Sequence, residues 1–204
     1  MNNGEKGILF VISGPSGVGK STIISSVLKE CDSLEFSVSY TTRKARKGEE
    51  NGKDYFFITR EEFEDMQRRG DFLEWAEVHG NLYGTSKHFV EEALKQGKNL
   101  ILDIDVQGAM NVKKIYPDEV YIFIYPPTLE QLKIRLAGRR TESEKQLARR
   151  LEDAKKELTY MYLKEFKYIV LNEDLETAIL DIQSIVEDEI RKRRRKKKRK
   201  KKIE

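Results

Sequence analysis

One octapeptide, Gly14-Pro15-Ser16-Gly17-Val18-Gly19-Lys20-Ser21, constrains this chain more than any other stretch. It matches G-x-x-x-x-G-K-[ST], follows the apolar run Ile8 to Ser13, and opens a helical pattern. That setting distinguishes it from a plain glycine-rich turn. Glycines let the backbone wrap close to phosphate oxygens, while successive N–H groups and the helix N-terminus supply positive potential. Lys20 can then reach the terminal phosphates and Ser21 can ligate Mg²⁺.

The apolar runs that follow have the same character. Asn99 to Ile104, Val120 to Tyr125 and Tyr168 to Leu171 are nearly continuous rather than alternating, as strands buried on both faces must be. Helical patterns separate them. Thr128 and Ser143 each precede a Gln by three residues, Gln131 and Gln146, as in a capping box. Leu175, Ile179, Ile182, Val186 and Ile190 share one face of a last helix from about Leu175. Strands alternating with helices predict an α/β fold with a central parallel sheet flanked by helices. Residues 36–90 break the rhythm: Phe36 to Tyr40, Tyr55 to Ile58 and Phe72 to Val78 read as strands of an inserted, mostly β subdomain. A polar stretch, Ala137 to Ser143, joins two helices and has the composition of a mobile cover.

Composition narrows the class further. The net charge of +4 hides an asymmetry, because Arg191 to Lys202 are twelve consecutive basic residues. Positions 1–190 retain 27 basic against 34 acidic residues, a net −7, which argues against a nucleic-acid-binding body. A lone cysteine, Cys31, forms no intramolecular disulfide and no cysteine metal cluster, as suits the cytoplasm. The run Ile8 to Ile12 is too short for a signal-peptide core, and no segment approaches the roughly 18 apolar residues of a membrane span.

Three further clusters carry potential chemistry. Asp103 and Asp105 end a predicted strand with their carboxylates on one side of the sheet. They are satisfied either by helix N-termini or by Mg²⁺ and substrate at the carboxyl edge. Arg43 and Arg46, on a loop after a strand, can fork around a phosphate with Tyr55 as a third donor, although charged loops are commonly just solvated. Gly80 to Thr85 taken alone is no more than a glycine turn. Arg135, Arg139, Arg140, Arg149 and Arg150 flank the polar stretch; they pair with Glu142, Glu144 and Glu152 on the surface or neutralise charge during phosphoryl transfer.

Taken together these strings resemble the guanylate kinase family of P-loop nucleoside monophosphate kinases over nearly the whole chain. The resemblance rests on Gly14-Pro15-Ser16-Gly17, Phe36-Ser37-Val38-Ser39, Thr41-Thr42-Arg43, Gly52-Lys53-Asp54-Tyr55, Phe72-Leu73-Glu74-Trp75-Ala76, Tyr83-Gly84-Thr85, Leu102 to Gly108, Pro126-Pro127 and Asn172. It implies phosphoryl transfer from ATP to GMP with Mg²⁺. By the same resemblance Ser39, Glu74, Thr85, Asp103 and Asp105 surround the guanine, and Arg43, Arg46, Tyr55 and Tyr83 hold the GMP phosphate. Gly14 to Ser21 hold ATP, with Asn172 a candidate adenine contact and Ser21 the metal ligand. Lys20, Arg43, Arg135, Arg139 and Arg150 are the catalytic set.

Guanine chemistry agrees: its N1–H and N2–H₂ donors suit a carboxylate such as Glu74, where adenine would present an unprotonated N1. Two departures stand out, Ala45 where the family has Pro and Arg140 where it has Gly. The expected organisation is a kinase domain over 1–190, with core 1–35, 97–132 and 165–190, GMP-binding insertion 36–96, short helical lid 133–164, and a basic disordered tail 191–204. Like charges at i and i+4 predict that the tail frays. It is either a passive solubilising extension or a weak, salt-sensitive contact for RNA or anionic surfaces. The rival expectation is a non-catalytic, phosphopeptide-binding module of the same fold. A monomer and a homodimer remain equally open, and no membrane partner is expected.

Overall fold

A computed structural model describes residues 6–78, 80–137, 144–162 and 164–200, with side chains left undescribed at 144–146 and 197–200. Its elements run β1 (Leu9–Ser13), α1 (Lys20–Glu30), β2 (Leu34–Phe36), β3 (Tyr40–Thr41), β4 (Phe56–Phe57), α2 (Arg60–Arg69), β5 (Phe72–Val78) and β6 (Asn81–Ser86). There follow α3 (Lys87–Lys95), β7 (Asn99–Asp103), α4 (Val106–Ile115), β8 (Val120–Tyr125), α5 (Leu129–Ala137), α6 (Glu144–Leu158), a 3₁₀ turn, β9 (Tyr168–Leu171) and α7 (Leu175–Lys200). Five strands form one sheet in the order β2-β7-β1-β8-β9, and four form a second, β4-β3-β6-β5. β2 pairs with β7, and β8 with β9, in parallel. The continuous apolar runs of β1 and β8 are buried along their length apart from Tyr125, as two-sided cover requires.

Packing groups the described residues up to Val11 with Ser33–Glu119, and Ile12–Asp32 with those from Val120 onward. This division differs from the expected core, insertion and lid. The first unit contains all the expected GMP residues, and the second contains the P-loop with Arg135 and Arg150.

In the first unit the small sheet is mixed: β5–β6 and β3–β6 are antiparallel, β3–β4 parallel. Residues 36–40 do not form one strand. The chain leaves β2 at Phe36 and re-enters the other sheet at Tyr40, so Ser37 and Ser39 lie buried at the switch. Gly80 to Thr85 is not a simple turn either, since Asn81–Ser86 is a six-residue strand. A Cβ at Gly84 would meet the Phe72 ring at 2.7 Å, so the residue that resembled a turn signal is there for close packing. The insertion also holds helix α2, started by a capping box between Thr59 and Glu62 and ended by Gly70 in the left-handed region. Phe63, Phe72 and Leu82 form its core.

In the second unit α7 buries Ala178, Ile182 and Val186, while Leu175, expected on that face, is 40% exposed. The helix continues through Lys200, where the sequence predicted fraying from 191. Lys and Arg are good helix formers, and cations near a helix C-terminus are favoured by its dipole. Anchoring adds to this: Glu189 accepts from Lys167 at 2.8 Å, Tyr168 Oη at 2.7 Å and Lys192 at 3.0 Å. Arg191 also pairs with Asp188. These contacts outweigh the i, i+4 repulsion at the start of the basic run.

Candidate active site

In the second unit the P-loop is built as its sequence requires. Gly14, Gly17 and Gly19 have φ of 144°, 84° and 103°, and each lacks room for a Cβ: Ile124 O would lie at 2.1 Å, Leu136 Cδ2 at 2.5 Å and Asn172 Nδ2 at 2.7 Å. α1 begins at Lys20, whose Nζ donates to Gly14 O at 2.9 Å, and Ser21 sits exposed in the first turn. Val18 is buried, Pro15 is buried, and Ser16 is half-buried.

Three expected residues fasten onto this loop. Asn172, 4% exposed, donates from Nδ2 to Val18 O at 2.6 Å. Arg135 donates to Asn172 O at 2.9 Å and to Val18 O at 3.4 Å, and Arg150 donates to Ser16 Oγ at 2.7 Å. Asn172 is therefore tied to the loop backbone. Arg139, like Arg140, lies outside the described residues. One participant escaped the sequence reading: Glu157 Oε2 accepts the Ser16 N–H at 3.2 Å. Only its reach back over 141 positions marks it, and no local pattern does.

In the first unit a β-bulge between Phe72 and Glu74 sets two residues of β5 against one of β6 and brings Glu74 opposite Thr85. Thr85 Oγ1 donates to Glu74 Oε1 at 2.6 Å, and both side chains are buried. Gly108 makes room: a Cβ there would come within 2.7 Å of Glu74 Oε2. Burial pushes the Glu74 carboxyl up to about 7, against the Thr85 bond and with help from the negative charge of Asp105.

Asp105 is the N-cap of α4, its Oδ1 accepting the Gly108 N–H at 2.6 Å. The structural reading of this carboxylate thus holds for one of its oxygens. Asp103 ends β7, half-buried; burial raises the Tyr55 phenol, and the charge of Asp103 adds to that shift. A cleft of about 600 Å³ is lined by Glu74, Trp75, Asp105, Gln107 and Asn111 among others. Ser39, 7% exposed, lies beside β3.

The expected phosphate residues also gather in this unit. Arg43 lies over the rings of Tyr55 and Phe57 at 5.4 and 5.7 Å, and Tyr55 meets Tyr83 edge-on at 5.9 Å. Arg46 is exposed. Arg43 forks onto Glu49 with bonds of 2.9 and 3.0 Å, a pairing the sequence reading did not anticipate. Although partial burial opposes charge, the Glu49 bond and the neighbouring Tyr83 raise the Arg43 guanidinium above its ordinary value.

A phosphate loop and a separate buried carboxylate pocket, each with arginines, is the equipment of a nucleotide phosphotransferase. Comparisons with known proteins agree. The family model described as Guanylate kinase matches residues 6–189. The guanylate kinase of Thermotoga maritima is 55% identical over 92% of this chain and 89% of that protein. That of Lactococcus lactis subsp. lactis is 49% identical over 91% and 89%. A crystal structure of guanylate kinase from Anaplasma phagocytophilum superposes with a TM-score of 0.75 at 35% identity, covering 91% of this chain and 87% of the other. With 55% identity across nearly its whole length and a match to the family model, this chain belongs to the guanylate kinase family.

Proposed function

We propose that this chain, a guanylate kinase and so an ATP:GMP phosphotransferase, divides the reaction between its two groups of residues. Ser39, Glu74, Thr85, Asp103 and Asp105 hold guanine, while Arg43, Arg46, Tyr55 and Tyr83 hold its phosphate. Gly14 to Ser21 hold the ATP phosphates, with Lys20, Arg135, Arg139 and Arg150 supplying positive charge. The observation that carries this reading is the buried Glu74 carboxylate, fastened on one oxygen by Thr85 and lining an open cleft. The lone pairs that remain on its two oxygens are acceptors for paired donors, and guanine carries N1–H and N2–H₂ side by side. Adenine would set a lone pair against it.

The same geometry gives Asn172 a second duty, bracing the loop through Val18 O, beside its candidate place near adenine. The GMP phosphate oxygen attacks the γ-phosphorus directly while the bond from that phosphorus to the β,γ-bridging oxygen breaks and ADP leaves, so no side chain serves as nucleophile. The protein's work is positioning and neutralisation of charge on the transferring oxygens. Arg135 and Arg150 already donate to P-loop atoms, and ATP phosphates are stronger acceptors for the same donors.

Among the described residues no group of three or more His, Cys, Asp or Glu could cage a metal. An exposed Ser21 hydroxyl in the first helical turn instead fits Mg²⁺ that arrives with ATP and keeps phosphate oxygens and waters. When bound, the ion offsets charge on the phosphate oxygens.

A non-catalytic phosphopeptide module has no use for a P-loop to which Lys20, Arg135 and Arg150 are all bonded. No described helix is long and apolar enough to cross a membrane, and we place the enzyme in the cytoplasm, as monomer or homodimer. The basic run 191–202 lies beyond the matched residues 6–189 and is read as outside the catalytic unit, either a passive solubilising extension or a weak, salt-sensitive contact with RNA or anionic surfaces. Steady-state kinetics with ATP, Mg²⁺ and varied nucleoside monophosphates, with Glu74→Gln beside the parent, test the assignment: loss of GMP preference in the variant supports it, and unchanged kinetics refute it.

A further inference from the structure

The loop that carries Arg43 and Arg46 is closed by a carboxylate. Glu49 accepts two bonds from Arg43, Nη1 at 3.0 Å and Nη2 at 2.9 Å, and a third from the backbone N–H of Arg46 at 2.7 Å. Its own N–H returns a bond to Arg46 O at 3.1 Å. The second Nη1 hydrogen of Arg43 goes to Lys44 O at 2.7 Å. Both side chains are largely covered, at 12% and 19% exposure. Ala45 leaves φ unconstrained between the two arginines, so the order of this loop rests on these bonds.

An anion so close to an anion-binding arginine has two opposite possible effects. It competes with phosphate for the guanidinium, or it fixes the guanidinium in the orientation phosphate needs. Donor counting separates them. A guanidinium has five N–H groups. Three are directed to Glu49 and Lys44, on the Nη1–Nη2 end. The remaining two, Nε–H and the second Nη2–H, form the side-on edge, which the Tyr83 hydroxyl also meets and which is a bidentate fork for a tetrahedral oxyanion that Tyr83 is expected to bind as well. Glu49 is also held by backbone, so it need not leave for the side-on edge to work.

We infer that Glu49 is a positioning residue for GMP: it locks Arg43 end-on, closes the Arg43–Glu49 loop through the Arg46 N–H, and presents the side-on edge of Arg43 to the acceptor's phosphate. The charge interaction agrees, since the bonds from Arg43 and from the Arg46 N–H hold the Glu49 carboxyl below its ordinary value despite the opposing effect of partial burial. This inference rests on the assignment of Arg43 to the GMP phosphate.

The test measures GMP and guanosine binding to the full chain by quenching of Trp75, the single tryptophan, which lines the cleft beside Glu74. Steady-state kinetics accompany it, for the parent, Glu49→Gln, Arg43→Met and the double variant. Gln keeps the shape but loses charge and one strong acceptor. Expected for Glu49→Gln is a rise of roughly 5- to 20-fold in GMP Kd and KM. Guanosine affinity, ATP KM and kcat at saturating GMP should stay within about two-fold. The double variant should match Arg43→Met alone, because the effect passes through that arginine. Unchanged or tighter GMP binding in Glu49→Gln overturns the inference in favour of a bystander or a competitor, and an equal loss for guanosine reduces Glu49 to a structural part. Should Arg43→Met leave GMP binding untouched, the underlying phosphate assignment fails, whatever Glu49→Gln does.

Discussion

Thr85 and Glu74 face each other across the β5–β6 ladder, and the hydroxyl donates a 2.6 Å bond to the carboxylate where neither side chain meets solvent freely. A buried carboxylate whose donors, the hydroxyl and backbone of Thr85, are all neutral is poised rather than satisfied. Its remaining acceptor capacity is what guanine's paired donors would use.

Replacing that carboxylate should therefore separate the two substrates. Glu74→Gln keeps the Thr85 bond through its carbonyl oxygen but turns an NH₂ group toward guanine or away from Thr85. GMP KM should rise about 10- to 100-fold while ATP KM moves by less than about three-fold, read by initial rates with each substrate varied.

Acidity should matter at the same place. With the carboxyl pushed up to about 7 by burial, against the Thr85 bond and reinforced by Asp105, the ligand-free pocket is partly protonated at neutral pH. A protonated carboxyl offers a donor where guanine needs an acceptor, so affinity should rise as pH rises through about 7. Guanosine competition at pH 6 to 8 isolates this from ionisation of the GMP phosphate, and Glu74→Gln should flatten the profile. Stability runs the other way. Between the ordinary 4.5 and about 7 the folded, ligand-free protein keeps a proton that the unfolded chain has lost, so Glu74 makes stability fall as pH rises through that window. Comparing the urea midpoints of parent and Glu74→Gln across it measures the slope.

Lys20→Ala removes the P-loop ammonium that donates to Gly14 O in the free protein. Turnover with every acceptor should fall by about 10²-fold or more, with GMP binding by Trp75 fluorescence unchanged. Parent-like turnover would take the P-loop out of the chemistry.

Asn172→Ala should loosen the same loop without touching GMP. It deletes the 2.6 Å bond to Val18 O and leaves that buried carbonyl with the longer Arg135 contact at 3.4 Å. A loss of about 1–3 kcal/mol in chemical denaturation and a several-fold rise in ATP KM are expected.

Deleting residues 191–204 removes Lys192 from Glu189 but keeps Lys167 and Tyr168 on it. Kinase kinetics should be unchanged, whereas retention on a polyanionic column at low salt should drop; a large loss of activity would place the basic helix within the catalytic unit.

What the sequence reveals here follows the physics of each segment. β8 coincides with its apolar run because two-sided burial leaves a mark on nearly every residue, whereas β9, expected to be buried on both faces, is an edge strand that buries only Val170 and exposes Ile169. The P-loop is legible because backbone wrapping, lysine reach and helix start are local requirements. β6 is not, because Gly84 is decided by Phe72 from the neighbouring strand and not by its own neighbours in sequence. Helix α2 hides for another reason: Phe63 is its one fully buried residue, and the Thr59–Glu62 capping box was the available mark. Glu49 and Glu157 act through partners that loop closure and a long chain return bring to them, which spacing alone does not encode. At Arg191–Lys200 local repulsion is legible, but the anchoring of Glu189 to β9 that favours the helix is not.

The most direct measurement is a coupled assay of ADP formation with ATP, Mg²⁺ and GMP, AMP, CMP or UMP as acceptor, at matched concentrations. The buried Glu74–Thr85 pair predicts that GMP exceeds each of the others by at least about 10²-fold in kcat/KM. Comparable rates with AMP would contradict the reading of guanine by Glu74.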